Sequence, residues 1–286
     1  MTKIGMEELM EQNVRPFGLR DKAGYMFGDF GNDFTFILSS MFLLKFYTDV
    51  MGVPAGVVGI MMMAARVVDA VTDVAMGQIV DRTKPTERGK FVIWIRRMCG
   101  PVAVASFLMY ASWFAHMPLG FKIFWMFFTY ILWGSVCYTG INIPYGSMAS
   151  AITTEASERT ALSTSRSIGA TLAGLVIGIV TPLFLYTTDA DGNQVVRGGG
   201  TFTVVAGIFS ILALICYLVC YRMTTERVAV EREVDTESVS FAATLGAIVK
   251  SRALLGMIGA AVFLLLSQLL ISTMNNYIYP DYFGDA

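Results

Sequence analysis

Residues 66–73 read Arg-Val-Val-Asp-Ala-Val-Thr-Asp and place three charged side chains inside a segment that is otherwise apolar. At about 100° per residue, Arg66, Asp69 and Asp73 fall on one face of a helix. An ionisable group at membrane depth costs about 2.5–3.5 kcal/mol on insertion scales, so such groups face a bundle interior or a wet cavity. The pattern predicts an ion or substrate path. The alternative is a structural Arg–Asp pair between helices, although one arginine cannot fully neutralise two carboxylates.

The composition is typical of an integral membrane protein. Hydrophobic residues make up 55% of the 286 residues, charged residues only 15%, and the mean hydropathy is +0.59, whereas soluble domains carry about 25% charged residues. The formal net charge of −1 argues against nucleic acid as a partner. The four cysteines form no CxxC motif, and His116 has no clustered ligands, so neither a resident metal site nor a disulfide framework is expected.

Seven hydrophobic segments reach the roughly 20 residues that cross a bilayer. They are predicted at 24–47, 55–80, 93–115, 121–146, 164–186, 201–221 and 253–279. Most of the 21 lysines and arginines lie in connections on one side, and only Lys122 and Arg197 lie on the other. The positive-inside rule therefore predicts a multi-pass protein of the cell (inner) membrane with a cytoplasmic N-terminus.

The segments suggest three parts of the chain. Residues 1–221 are expected to form an N-terminal six-helix transporter half, and 222–252 a cytoplasmic middle loop with a short amphipathic helix at 240–249. Residues 253–286 would then hold a seventh helix and the start of an incomplete C-terminal half. Because six helices form a natural half of a transporter, we expect a fragment that does not transport alone.

The tract Gly-Gln-Ile-Val-Asp-Arg-Thr at 77–83, followed by Arg-Gly-Lys at 88–90, resembles the loop signature of the major facilitator superfamily. In that superfamily the loop joins helices two and three and latches the cytoplasmic ends of the two halves. Gly77 would allow close helix packing, and Asp81 would complement a helix N-terminus and pair with basic residues. A generic positively charged loop is the alternative. Gating or structural roles are expected for Gly77, Asp81, Arg82 and Arg88.

Five separated motifs then occur in the order typical of one family in this superfamily. They lie at 46–52 (Phe-Tyr-Thr-Asp-Val-Met-Gly), 66–73, 138–147 (Tyr-Thr-Gly-Ile-Asn-Ile-Pro-Tyr-Gly-Ser), 158–166 and 282–286 (Tyr-Phe-Gly-Asp-Ala). Over nearly its whole length the chain resembles the melibiose permease-like glycoside–pentoside–hexuronide:cation symporters. The resemblance implies an all-α integral membrane protein with the major facilitator fold, here the first six-helix half plus one helix. It also implies a transporter and not an enzyme, and no nucleophile–base constellation argues otherwise.

The resemblance implies a site for a coupling cation on helix two. In the family, two carboxylates of this helix bind the cation with help from a threonine in helix four, and the matching residues are Asp69, Asp73 and Thr139. Thr72 replaces an asparagine between the paired acids and is a further candidate ligand. Carboxylate and hydroxyl oxygens are hard ligands that suit Na⁺, Li⁺ or a proton. No other cofactor or metal is expected.

The resemblance also implies a sugar site. A family aspartate in helix one and an arginine in helix five hydrogen-bond the sugar hydroxyls, and here these are Asp33 and Arg166. Vicinal hydroxyls both donate and accept, which a carboxylate and a guanidinium together satisfy. Arg166 lies at the predicted boundary of helix five and could instead reach the lipid headgroups. Asp29, four residues before Asp33, is expected to be a solvated or packing residue.

Two positions depart from the family's best-known member. Asn142 replaces a third carboxylate that contacts sugar, and Gly146 replaces a tryptophan that offers a platform for the sugar ring. An amide still makes two-way hydrogen bonds but carries no charge. Asn142 could instead cap a helix break before Pro144. Two neighbours of these residues complete the expected substrate site: Asn32 and Tyr138.

The resemblance implies symport of a glycoside, pentoside or hexuronide with Na⁺ or H⁺ by alternating access. The cation would neutralise the repelling Asp69/Asp73 pair and raise the sugar affinity, and linkage requires the reciprocal effect. A cation-coupled lysolipid transporter and a non-transporting membrane sensor with the same fold remain alternatives. The expected partners are a small sugar, a monovalent cation and membrane lipids, and the protein is expected to be a monomer.

Overall fold

The computed structural model describes residues 15–188, 194–228 and 250–278. The chain has two compact units, Met1–Val230 and Glu231–Ala286, and each is described by itself. Within the described residues, each of the seven predicted segments is a helix. The helices are α1 (Leu19–Lys45), α2 (Ala55–Arg82), α3 (Val92–Met109), α4 (Leu119–Ile152), α5 (Ala156–Leu185), α6 (Gly199–Met223) and α7 (Arg252–Ile278).

Five of the helices, α2 to α6, are long and apolar enough to cross a membrane. The 27 residues of α1 would span about 40 Å at 1.5 Å per residue, which also exceeds the roughly 30 Å hydrocarbon core of a bilayer. α1 is less apolar because it carries buried polar side chains, among them Asp21, Asp29 and Asn32. The fold is therefore the all-α membrane architecture that the sequence predicts.

Helix four and helix five differ from the prediction at their facing ends. α4 continues through Pro144 to Ile152, and α5 begins at Ala156, eight residues before the predicted start. The hydroxyl of Thr153 accepts the N–H of Glu155 and donates to the Glu158 carboxylate, so these two bonds connect the residue before α5 to its first turn. Hydropathy missed this turn because its side chains are polar.

Two short segments interrupt the regular α-helices. α1 continues as a π-helix over Phe46–Val50, and the middle of α4 is π-helical over Leu132–Tyr138. A two-stranded antiparallel hairpin, β1 (Tyr186–Thr188) and β2 (Gln194–Val196), lies between α5 and α6. The sequence predicted none of these features, since hydropathy does not distinguish helix types and the hairpin strands are only three residues long.

Helix α1 packs closely against its neighbours because glycines line its contact face. A Cβ on Gly31 would lie 2.7 Å from the ring of Tyr217 on α6, and one on Gly24 would lie 2.7 Å from Met223. On α5, a Cβ on Gly169 would lie 2.9 Å from the carbonyl oxygen of Met26. These contacts fix α1 between α5 and α6, with backbones too close for larger side chains.

The end of the bundle that holds Asp21, the α2–α3 connection and Met223 is called the basic end below. There the fully buried Asp21 carboxylate pairs with Arg15 at 2.6 Å and with Arg227 at 2.9 Å. The backbone N–H of Arg227 donates to the carbonyl of Ala151 at 2.8 Å. The segment after α6 thereby joins the start of α1 to the end of α4.

Helix α7 lies in the second unit. Its described side chains are apolar and mostly exposed within the chain, including Met257 and Phe263, as expected for a helix that needs lipid or protein around it. The amphipathic helix predicted at 240–249 lies outside the described residues. The domain boundaries predicted at 221/222 and 252/253 stay predictions.

Candidate functional site

The two acids of α2 each receive a hydroxyl from α4. The Ser135 hydroxyl donates to Oδ1 of Asp69 at 2.5 Å, and the Thr139 hydroxyl donates to Oδ1 of Asp73 at 2.8 Å. Ser135 lies in the π-helical segment of α4 and Thr139 directly follows it. A π-helical turn often marks a functional position because it displaces side chains from regular helical spacing.

Arg66 supplies the positive charge at this group of residues. Its Nη1 lies 3.4 Å from Oδ2 of Asp69, and its Nη2 donates to the hydroxyl of Tyr130 at 3.5 Å. Among the described residues, Asp73 has no ion-pair partner. Arg66 therefore balances Asp69, and the carboxylate of Asp73 leaves one formal negative charge in this group.

These acids border a cavity of about 250 Å³ between α2 and α4. Within the described residues, the lining holds polar and aromatic side chains and no Leu, Ile, Val or Met. The lining residues are Phe36, Arg66, Asp69, Asp73, Tyr130, Trp133, Gly134, Tyr138, Thr139 and Asn142. The ring of Tyr138 stacks on Phe36 with centroids 5.6 Å apart. The predicted cation residues and part of the predicted substrate site thus share one cavity.

Asn32 and Asn142 meet beside this cavity. Nδ2 of Asn32 donates to Oδ1 of Asn142 at 3.4 Å, and the hydroxyl of Tyr217 donates to Oδ1 of Asn32 at 2.9 Å. Asn32 is buried, whereas Asn142 is partly exposed and lines the cavity. These two hydrogen bonds connect α1, α4 and α6 through polar side chains. Because α4 is unbroken at Pro144, the alternative role of Asn142 as a cap is wrong.

Arg166 pairs with Asp29 and lies well inside α5. Its Nε is 2.9 Å from Oδ1 of Asp29, whose side chain is 5% exposed, and its guanidinium carbon lies 5.4 Å above the ring of Tyr145. Asp29 was expected to be a solvated or packing residue, and its burial contradicts the solvated alternative; the placement of Arg166 at a helix boundary is also wrong. The cause is the earlier start of α5 together with its close contact to α1 at Gly169. Asp33 is partly exposed on α1, one turn beyond Asp29.

Thr72 does not join the two acids. Its hydroxyl donates to the carbonyls of Val68 and Asp69, both at 3.1 Å, within its own helix. It is absent from the described lining of the cavity. The structure thus brings together Asp69, Asp73 and Thr139, and leaves the hydroxyl of Thr72 bonded back to α2.

The motif residues of the α2–α3 connection lie at the basic end. The Lys90 ammonium donates to the carbonyl of Asp81 at 2.8 Å. No described residue comes within 4 Å of the position that a Cβ on Gly77 would take. Arg82 is exposed as the last residue of α2. The guanidinium carbon of Arg88 lies over the ring of Tyr221, 5.1 Å from the ring centroid. None of the four motif residues is part of the described lining of the cavity.

Glu226 complements the start of α3. Its carboxylate accepts the backbone N–H groups of Lys90 and Phe91, both at 2.8 Å, and of Val92 at 2.6 Å. Burial raises the pKa of this carboxyl above its ordinary value, and the three N–H donors oppose that rise. The sequence predicted Asp81 for a helix N-terminus, and Glu226 was not predicted.

Sequence reasoning missed Ser135, Tyr130, Trp133 and Phe36. Ser135 could have been found, since it lies four residues before Thr139 and so on the same face of α4. The three aromatic residues lie among many others in apolar helices, and the sequence offers no signal that separates them from core residues.

The chain has relatives among known transport proteins. The family described as "MFS/sugar transport protein" matches residues 24–286. The uncharacterized symporter YjmB of Bacillus subtilis (strain 168) is 29% identical over 287 residues, 100% of this chain and 60% of that protein. The isoprimeverose transporter of Lactiplantibacillus pentosus is 33% identical over 221 residues, 77% of this chain and 44% of that protein.

A third relative is the putative glycoside/cation symporter YagG of Escherichia coli (strain K12). It is 36% identical over 217 residues, which cover 74% of this chain and 44% of that protein. The chain thus spans about half the length of the curated relatives it matches.

Proposed function

Because this chain belongs to the MFS/sugar transport protein family of multi-pass membrane transporters, we propose that it carries the cation site of a sugar symporter. The cargo is a glycoside, pentoside or hexuronide, and the coupling ion is Na⁺ or H⁺. The membership agrees with the resemblance that the five sequence motifs indicate. Relatives named an isoprimeverose transporter and a glycoside/cation symporter support the class of cargo and of coupling.

The observation that carries the proposal is the pairing of two carboxylates with two hydroxyls across α2 and α4. Asp69 accepts the hydroxyl of Ser135 and pairs with the guanidinium of Arg66, whereas Asp73 accepts the hydroxyl of Thr139 and has no ion-pair partner among the described residues. A monovalent cation would balance the one remaining negative charge. Carboxylate and hydroxyl oxygens are suitable ligands for Na⁺, and the carboxylates are suitable acceptors for H⁺. Because an uncompensated charge at membrane depth is costly, occupation by a cation stabilises the site.

Helix α4 connects this cation site to the substrate. Ser135 and Thr139 contact the acids, whereas Tyr138 and Asn142 line the same cavity. These four residues lie in one short stretch of α4, at 135–142, which begins in its π-helical segment. A cation that draws the two hydroxyls toward α2 therefore also sets the position of the tyrosine and the asparagine. This gives a physical basis for coupling between cation and sugar.

The chemistry of the cavity favours a sugar over a lysolipid. A sugar ring needs hydrogen-bonding groups at its edge and an apolar surface against its face. Asn142 and the acids of α2 offer the first, and Tyr138 and Trp133 offer the second. An acyl chain would instead require aliphatic side chains, which the described lining of this cavity does not contain.

We propose that the transport cycle is one of alternating access. Cation and sugar enter from one side, their joint binding allows the cavity to close, and reopening on the other side releases both. We propose that the N-terminus is cytoplasmic in the inner membrane, because the basic end carries most of the positive charge. Import then runs down the gradient of the cation.

Uptake measurements test the proposal. Cells that express the complete gene encoding this chain are given a panel of radiolabelled glycosides, pentosides and hexuronides. A Na⁺ or a proton gradient is imposed separately. We expect one gradient to drive accumulation, and Asp69→Asn or Asp73→Asn to abolish it. Accumulation in both variants equal to that of the unsubstituted protein would contradict the proposal.

A further inference from the structure

Helices α3 and α6 pack side by side, and at the basic end a pocket of about 410 Å³ lies between them. Its lining consists of Arg88, Arg96, Leu218, Tyr221 and Arg222, and we call it the arginine pocket. It has no residue in common with the cavity of the proposed symport site. Three guanidinium groups in one pocket form a concentrated positive charge.

The ring of Tyr221 holds two of these guanidinium groups in place. The guanidinium carbon of Arg88 lies 5.1 Å from the ring centroid and that of Arg96 lies 5.5 Å from it. Nη1 of Arg96 also donates to the Tyr221 hydroxyl at 3.3 Å. Tyr221 is only 8% exposed, so the packing of α3 against α6 fixes the ring. The guanidinium groups are therefore positioned before any ligand arrives.

No carboxylate in the described part of the chain neutralises this charge. Arg88, Arg96 and Arg222 form no ion pair there. Glu226 follows α6 closely, but its carboxylate accepts three N–H groups at the start of α3. The like charges of guanidinium groups in one pocket repel one another. Guanidinium groups bind phosphate or carboxylate oxygens well. The pocket thus has the chemistry of an anion site.

An apolar groove of about 300 Å³ lies between the same two helices, further from the basic end. Val104 and Phe107 of α3 and Gly207, Ile211 and Leu214 of α6 form most of its wall. From Gly207 at the far end of the groove to Arg222 in the pocket, α6 rises about 22 Å at 1.5 Å per residue. One leaflet with its headgroup region is about 20–22 Å thick, so groove and pocket together match the length of one lipid.

Exposed apolar side chains connect the groove to the arginine pocket. They recur on one face of α6 at helical spacing and end at Arg222. They are Val204, Ile208, Ile211, Ile215 and Leu218. A ligand that fits both features has an acidic head and a long apolar tail.

We propose that the arginine pocket and the apolar groove together bind one anionic phospholipid of the surrounding bilayer. Its phosphate lies among the three guanidinium groups, and an acyl chain follows the face of α6 into the groove. Basic pockets between membrane helices are known to take acidic lipid headgroups. A free phosphate would satisfy the pocket alone and leave the groove unused. The bound lipid would join the outer faces of α3 and α6.

Native mass spectrometry of the purified full chain in detergent tests this proposal. The protein is titrated with dioleoyl phosphatidylglycerol, with dioleoyl phosphatidylcholine and with inorganic phosphate. We expect one phosphatidylglycerol to be retained with at least about tenfold higher affinity than phosphatidylcholine. A factor of about ten corresponds to the loss of one charge-assisted hydrogen bond. The double variant Arg96→Gln/Arg222→Gln should lose this preference.

The matched control is Arg97→Gln, which removes the same charge from the neighbouring, exposed position of α3 outside the pocket. It should retain the preference for phosphatidylglycerol. Val104→Trp places a large ring at an exposed position of the groove and should weaken lipid retention without lowering the thermal stability of the protein. Because all substituted residues are exposed, the variants should fold, and circular dichroism verifies this.

Three results would each overturn the proposal. The first is equal retention of the two lipids by the unsubstituted protein. The second is an equal loss in Arg97→Gln and in the double variant, which would show a diffuse effect of surface charge. The third is displacement of the lipid by millimolar inorganic phosphate, which would show a site for a free anion.

Discussion

Arg166 of α5 pairs with Asp29 of α1, at 2.9 Å between Nε and Oδ1. The side chain of Asp29 is 5% exposed and that of Arg166 is 44% exposed. Asp33 lies one turn further along α1, next to this ion pair. The residue that pairs with Arg166 is therefore Asp29 and not Asp33. The pair holds α5 against α1 at the level of the substrate residues, so Asp29 has a structural as well as an electrostatic role.

Loss of the Asp29 carboxylate should destabilise the bundle. We expect Asp29→Asn to cost about 1.5–3 kcal/mol, as for a hydrogen bond between charged groups, with the lower end favoured because Arg166 is partly solvated. Thermal unfolding of the purified protein measures the loss. Asp33→Asn is the matched control and should change the midpoint little. Equal destabilisation by both variants would show that the pair at Asp29 has no special role.

Ser135 should contribute to cation affinity as much as Thr139 does. Each hydroxyl contacts one acid of α2, so Ser135→Ala and Thr139→Ala should each lower the apparent cation affinity about tenfold or more. The cation dependence of sugar uptake gives this quantity. Ser150→Ala removes an exposed hydroxyl from the same helix and should have no effect. A normal cation dependence in Ser135→Ala would exclude Ser135 from the site.

Gly146 should accept a large side chain. Within the described residues, nothing lies within 4 Å of the position of a Cβ on Gly146. Gly146→Trp should therefore leave the unfolding midpoint nearly unchanged while it adds an aromatic surface for a sugar ring. We expect the KM for the preferred sugar to change several-fold, with the cation dependence retained. Gly28→Trp is the contrasting variant, since its Cβ would clash with Tyr145 and Cys220, and it should not fold. A Gly146→Trp protein that likewise fails to fold would contradict the open space seen there.

The buried ion pairs at the basic end should be essential for the stability of the bundle. Asp21 is fully buried between Arg15 and Arg227. Removal of one member of such a group leaves buried charge unpaired, and we expect Asp21→Asn to cost about 3–5 kcal/mol. Hydrogen exchange in residues 224–228 should rise at the same time. Glu87→Gln, an exposed change at the same end, serves as the control. Unchanged exchange in Asp21→Asn would show that the segment after α6 is held by other contacts.

The sequence predicted the helices and the face of α2 because both depend on strong periodic signals. Apolar runs of membrane length identify helices, and three charges at helical spacing identify a functional face. Hydropathy could not locate the start of α5, because its polar first turn does not differ in composition from a loop. That error placed Arg166 at the wrong depth and concealed its pairing with Asp29.

Other features depend on geometry that periodicity cannot supply. The π-helical turn over Leu132–Tyr138 alters the direction of Ser135, and spacing rules for a regular helix do not predict where such turns occur. The contact of Asn32 with Tyr217 requires the close approach of α1 and α6 that Gly31 allows. Motif matching found Asn32 and Asn142 separately, but only the packed bundle shows that they are bonded to each other.

The most direct test of the account is the linkage between cation and sugar at equilibrium. The affinity for the transported sugar is measured in membranes with and without the coupling cation, and the affinity for the cation is measured with and without the sugar. We predict that each ligand raises the affinity for the other by the same factor, and that Asp73→Asn removes the effect. Sugar binding that is unaffected by any cation would contradict the assignment of the α2 carboxylates as the coupling site.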